Sequence, residues 1–310
     1  MGETKAILAS RDLQKRFGKL VAVDGVTLDI LPGQCVGLLG PNGAGKSTFI
    51  SMAYGATPRS GGELFVFGLD PQKDSRAIKK RLGVVTQEDC LDEAMTVYEN
   101  MAMFARFSGV PKPEIDSRVG ELLEFMSLGH KRDASIRALS GGMKRRLVFV
   151  RALLAKPELI ILDEPTTGLD PAVRHLLWEK VLELKASGTT ILLTTHYMDE
   201  AERLCERLII MDQGKIREDA APRDLIERHC PGYVAHFKNR EVVGTLRTYL
   251  SSHPEGVVYE DSAGVGVRGP DLPWISEMVS KIEFAPEVVR PANLEDVFLK
   301  ITGRGLGSHA

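Results

Sequence analysis

The run Gly40-Pro41-Asn42-Gly43-Ala44-Gly45-Lys46-Ser47-Thr48 constrains this chain more than any other stretch. It fits G-x-x-x-x-G-K-[ST], with an apolar, strand-like run ahead of it (Val36 to Leu39) and a helical start from Ser47. Glycine at positions 43 and 45 lets the backbone wrap close to an anion where a Cβ would intrude. Consecutive N–H groups and the start of a helix then face phosphate oxygens. Lys46 is placed to reach the outer phosphates of a nucleotide, and the Ser47 hydroxyl to ligate Mg²⁺.

Further strands follow from the apolar pattern. Leu159-Ile160-Ile161-Leu162 is a continuous apolar run, as expected of a strand buried on both faces. Asp170-Pro171 supplies an N-cap and a proline at the first helical position. That helix is predicted to run to about Ser187, with Gly188 in the left-handed cap position and a strand from Thr190 to Thr195. Strand, helix and strand of this length make a βαβ unit, so the sheet is predicted to be mainly parallel.

Upstream, Val21, Val23, Val26, Leu28 and Ile30 alternate with polar residues, predicting antiparallel strands between about Lys5 and Ile30. A short strand is predicted from Glu63 to Phe67. From about 90 to 156 the period becomes helical, with core-facing stripes at Val97, Met101, Phe104 and Phe107 and at Val119, Leu122, Leu123 and Met126. A boundary is predicted near Ala220-Ala221-Pro222, dividing the chain into 1–221 and 222–310. The second part reads as a small α+β domain. It has a strand at Tyr233–Phe237, a helix from Glu241 to Ser251 and a hairpin turning at Ala263-Gly264. A helix from Leu272 to Ile282, a strand at Val288-Val289 and a last helix from Asn293 follow.

Four further groups are candidates for chemistry. Asp163 and Glu164 end the buried strand, at the edge of a parallel sheet where sites form. An Asp there can hold Mg²⁺, and the next carboxylate can polarise a water for attack on phosphorus. His196 follows the neighbouring strand, within reach of Glu164 and a phosphate oxygen. Gln87 precedes the helical region; its amide can accept from Mg²⁺-bound water, although a glutamine at a surface turn carries no signal of its own. Ser140-Gly141-Gly142 opens a second helix and makes a second anion-binding end. One chain cannot easily bring both helix starts to one phosphate, but two chains facing head to tail can.

The 310 residues carry 40 Lys+Arg against 42 Asp+Glu, and the net charge of −2 argues against a surface that coats nucleic acid. No segment approaches 18 uncharged apolar residues, so none is predicted to span a membrane. The four cysteines form no C-x-x-C pair and read as free thiols of a reducing compartment.

In order and spacing, residues from about Lys5 to Arg217 resemble the ATP-binding subunits of ABC transporters. Gly40–Thr48 resembles Walker A, Gln87 the Q-loop, Leu139–Met143 the signature, and Leu159–Glu164 Walker B with its catalytic glutamate. Thr167–Asp170 resembles the D-loop and His196 the H-loop. Met143 stands where the signature usually has Gln, and Phe17 matches the aromatic position that stacks on adenine, where Tyr is common. The tail around Asn293–Leu299 is similar to ABC-2 exporter subunits; among these the nodulation-factor exporter group, which Ser140–Arg146 and Trp178–Leu204 resemble, and the daunorubicin-resistance group are nearest. The resemblance implies a P-loop NTPase fold of α/β class, with an antiparallel β subdomain, a helical subdomain (about 90–156) and the small C-terminal α+β domain. It implies Mg²⁺-dependent ATP hydrolysis with Glu164, His196 and Lys46 catalytic. ATP would be bound by Phe17, Gly40 through Thr48, Gln87 and Ser140–Gly142, with Ser47, Gln87 and Asp163 on the metal. It further implies a head-to-tail dimer, integral membrane permease subunits and a place on the cytoplasmic face of the membrane. The alternative is a soluble ABC-type ATPase not coupled to transport.

Overall fold

The computed structural model describes residues 5–260 and 264–302. Two compact units divide between Ala220 and Ala221.

In the first unit, β1 (Leu8–Phe17), β2 (Leu20–Ile30) and, after β3 (Cys35–Leu39) and α1 (Lys46–Ala53), β4 (Gly61–Val66) contribute to two sheets. One sheet is antiparallel, in the order β2-β1-β4. Helix α2 (Pro71–Lys79) leads to β5 (Leu82–Val85). The helical region holds α3 (Val97–Phe107), α4 (Ile115–Phe125) and α5 (Gly141–Ala152). There follow β6 (Leu159–Asp163), α6 (Pro171–Ala186), β7 (Thr190–Thr194), α7 (Met198–Leu204), β8 (Arg207–Asp212) and β9 (Lys215–Ala220). The second sheet runs β5-β6-β7-β3-β8-β9, parallel except for β9.

One core joins the two sheets. Phe49, Ile50 and Met52 of α1 pack with Leu8, Leu13 and Leu64 of the antiparallel sheet and with Leu38, Ile161, Leu192 and Ile209 of the parallel one. Full burial of a side chain such as Phe49 stabilises the fold by about 1.5–3 kcal/mol. This core clamps the helix that follows the phosphate loop, so the loop is held at both its ends.

The second stripe of the helical region is buried as expected, with Val119, Leu122, Leu123 and Met126 inside. The first is corrected at its end. Met101 is buried, but Phe107 is 79% exposed and meets Phe104 edge-on at 6.4 Å. Helix α3 stops at Phe107, past Ala105, the last of its buried side chains.

The second unit contains α8 (Pro222–His229), β10 (Tyr233–Phe237), α9 (Val242–Leu250), β11 (Val257–Glu260), β12 (Val265–Gly269), α10 (Leu272–Ile282), β13 (Val288–Pro291) and α11 (Leu294–Thr302). Its antiparallel sheet runs β11-β12-β10-β13, and Phe237, Val265 and Val267 pack with Leu246, Ile275 and Met278. Strands β11 and β12 pair antiparallel, as a hairpin requires, although the expected turn at Ala263 lies outside the described residues. Among the described residues, no helix is long and apolar enough to cross a membrane.

Candidate active site

Three neighbouring strands deliver the site. Leu38 of β3 pairs with Thr194 of β7, which pairs with Asp163 of β6. Their parallel register brings the phosphate loop, the two carboxylates and the His196 segment out at one edge of the sheet.

Gly45 caps α1 at φ +100°, and a Cβ there would lie 2.2 Å from the Ala22 carbonyl oxygen. Only glycine fits that approach. No side chain caps α1, so its first N–H groups are left for a ligand. Lys46 is buried, and its ammonium donates to the carbonyls of Gly40 at 2.6 Å and Pro41 at 3.1 Å. Burial pushes the Lys46 pKa down, opposed by Glu164 and then Asp163.

A cleft of about 250 Å³ opens above the loop. Asn42, Gly43, Ala44, Gly45, Lys46, Ser47 and Thr48 form its floor, Gln87 and Glu164 one wall, and Phe17 with Leu20 and Ala22 the other. Gly40 and Pro41 lie at the loop's base, where they hold Lys46. Phe17, which lines this cleft, is 49% exposed, and the Lys15 ammonium lies over its ring, 4.6 Å from the centre.

Asp163 Oδ1 accepts from the Thr194 hydroxyl at 2.6 Å. Burial pushes the Asp163 pKa up; the Thr194 bond opposes the rise and the neighbouring Glu164 charge adds to it. Glu164 adopts φ +47°, and its N–H donates to both the carbonyl (3.1 Å) and the hydroxyl (3.0 Å) of Thr194. Its Oε2 accepts from Thr167 at 3.2 Å and lies 3.4 Å from His196 Nδ1. Ser47, Gln87 and Asp163 offer oxygen donors only, and one of them is a carboxylate whose charged form burial disfavours. That set fits a small hard cation that completes its shell with phosphate and water.

The structure gathers most of the residues singled out from sequence around the phosphate-loop cleft, whose lining does not include Ser140, Gly141 or Gly142. Ser140 is exposed and caps α5, its hydroxyl accepting from the Met143 N–H at 3.3 Å. Gly141 and Gly142 line a neighbouring cleft of about 360 Å³, together with Gln87, Arg145, Glu164 and Thr167–Leu169.

Two buried charges were not anticipated. Arg145 sits three and four residues before Val148 and Phe149, so a charge falls on the buried stripe of α5. That misplaced charge was the available signal. Glu200 is fully buried, its Oε1 accepting from Thr166 (2.8 Å) and Trp178 (2.7 Å). It ties the segment after Glu164 to the helix after His196.

A parallel sheet with a phosphate loop, a carboxylate strand beside it and a helical insertion defines a P-loop ATPase of the cassette type. Residues 23–167 match the family described as ABC transporter. The Nod factor export ATP-binding protein I of Cupriavidus metallidurans is 44% identical, over 96% of this chain and 98% of its own. That of Ralstonia nicotianae is 43% identical, over 96% and 94%. A solved ATP-binding subunit of an ABC transporter superposes with TM-score 0.67 at 30% identity, covering 72% of this chain and 92% of that one. A dimeric ATP-binding cassette in a post-hydrolysis state with ADP and Pi superposes with TM-score 0.63 at 25% identity, covering 69% and 98%. The chain belongs to the ABC transporter family, as an ATP-binding and ATP-hydrolysing subunit.

Proposed function

We propose that two copies of this chain, facing head to tail, hydrolyse ATP in an Mg²⁺-dependent reaction that drives export through separate integral membrane subunits. Phe17 stacks on adenine, the loop from Gly40 to Thr48 cradles the phosphates, and Lys46 leaves the Gly40 and Pro41 carbonyls for the outer phosphate oxygens. Ser47, Gln87 and Asp163 would hold Mg²⁺, and the bound ion would neutralise developing charge on the phosphates. Glu164 takes a proton from the attacking water as its oxygen bonds to the γ-phosphorus and the bond to ADP breaks. His196 donates to the γ-phosphate and orients Glu164. Ser140, Gly141 and Gly142 close over the nucleotide of the partner copy. The observation that carries the reading is the Glu164–His196 pair, 3.4 Å apart, with its carboxylate on the wall of the phosphate-loop cleft.

The named relatives act in Nod factor export. For this chain, membrane subunits recognise the cargo, the cassette lies on the cytoplasmic face, and residues 222–310 form an accessory domain. The test is Glu164→Gln beside Lys46→Ala. Glu164→Gln lowers turnover by ~10²-fold or more, the size of a lost general base, while ATP binds and closed dimers accumulate. Lys46→Ala loses ATP binding with the fold intact. Near-normal turnover in either variant overturns the reading, and co-purification of membrane subunits from a membrane extract tests the coupling.

A further inference from the structure

We infer that Arg145 is a positioning residue that links the helix start facing the partner's nucleotide to the sensor and base of the chain's own site. The inference rests on the head-to-tail reading above.

The guanidinium has five N–H donors in a rigid planar fork. Each meets a backbone carbonyl. Nη1 donates to Thr86 (2.5 Å) and Gln87 (3.2 Å), Nη2 to Asp163 (3.2 Å) and Glu164 (2.8 Å), and Nε to Pro165 (2.7 Å). Arg145 is buried, and the carboxylate of Asp89, 3.8 Å away, faces the charge. The acceptors come from two separate segments. Three belong to Gln87, Asp163 and Glu164, whose side chains are placed on the metal and the attacking water. The donor belongs to α5, whose first residues are Ser140, Gly141 and Gly142.

One rigid group therefore spans three parts of the machinery. Hydrogen bonds from a charged donor are the stronger kind, and five together leave little slack. A shift of α5 when the partner's nucleotide meets Ser140 must move the Gln87 and Glu164 backbones or break several of these bonds. Misplacing a reacting group by about 1 Å can cost ~10²-fold in rate. An occupied site at one end of the chain thereby sets the geometry at the other. Lysine cannot replace the fork, because its three donors leave one point and cannot span both segments.

The experiment compares Arg145→Lys and Arg145→Gln with the wild type in the full-length chain. It measures melting temperature, ATP binding, kcat and KM, and the Hill coefficient of turnover against ATP. Both variants are expected to fold and to bind ATP through Lys46 with KM little changed. Their kcat falls by up to ~10²-fold, and a Hill coefficient above one in the wild type drops to one. Wild-type kcat and cooperativity in Arg145→Lys overturn the inference. So does a loss of kcat that follows a loss of ATP binding, or failure of both variants to fold, since Arg145 is then only an anchor for the fold. Lys46→Ala run alongside separates the inference from the reading beneath it. If Lys46→Ala is active, the phosphate-loop assignment falls and the link with it. If it is inactive while Arg145→Lys behaves as wild type, only the link falls.

Discussion

Two helices in this chain begin with small residues suited to an anion, and they are built in opposite ways. Helix α1 starts at Gly45, in the left-handed region, where an added Cβ strikes the Ala22 carbonyl at 2.2 Å. Helix α5 starts at exposed Ser140, and a Cβ added at Gly141 meets nothing within 4 Å. The chain's own packing demands glycine at the first site. Nothing in the chain demands it at the second. Any requirement for glycine at position 141 would therefore have to come from outside the chain, and in the proposed head-to-tail dimer the partner's nucleotide would supply it.

The comparison breaks most directly at the glycines. Gly45→Ala combines a clash with a left-handed backbone that costs alanine ~1–2 kcal/mol. It should abolish ATP binding and lower the melting temperature. Gly141→Ala should leave both unchanged and lose turnover. Equal melting temperatures for the two variants, with the wild type, would collapse the distinction.

A smaller effect sharpens it. Ser140→Arg should bind ATP as a monomer yet fail to hydrolyse it, because the damage falls on the partner's site. Mixed with Lys46→Ala, the two defects can segregate to one site of a mixed dimer and leave the other whole. Partial recovery of ATPase activity on mixing is expected. Absence of recovery at every ratio would place Ser140 in its own chain's site after all.

The smallest effect belongs to the second unit, which has its own sheet and core. Truncation after Ala221 should leave an ATP-binding core with turnover altered modestly, well short of the Glu164→Gln defect. ATPase rate against protein concentration, for full-length and truncated chains, reads any loss of dimer contacts. Loss of ATP binding in a folded core would assign this unit to the nucleotide site.

The parts of the site that were legible in sequence are those whose chemistry demands a local pattern. The phosphate loop needs its glycines, Lys46 and Ser47 in one run, and Asp163-Glu164 needs only a strand before it. The Asp170 cap and its helix were legible for the same reason, and Asp170 Oδ1 does accept from the Val173 N–H at 3.0 Å. Arg145 was not, because its acceptors lie from 18 to 59 residues away and are backbone carbonyls that any residue carries. Phe107 has the spacing of a core residue, and periodicity does not tell where a helix outruns its neighbours. Strands β8 and β9 carry no chemistry and left no motif, yet β8 pairs with β3 and so flanks the phosphate-loop strand.

The backbone of Glu164 has a consequence for how such a protein can evolve. Its φ of +47° is unfavourable for a glutamate, and the conformation persists because Thr194 fixes the N–H from two sides. The side chain adds a second unfavourable charge beside Asp163. Asparagine tolerates the left-handed region better and carries no charge. Glu164→Asn should raise the melting temperature, by an amount corresponding to ~1 kcal/mol, while ending turnover. A wild type that melts no lower than this variant would show the turn to be unstrained. Selection for heat resistance alone would then act against Glu164, and a thermostable relative that still turns over ATP must have gained its stability elsewhere in the chain.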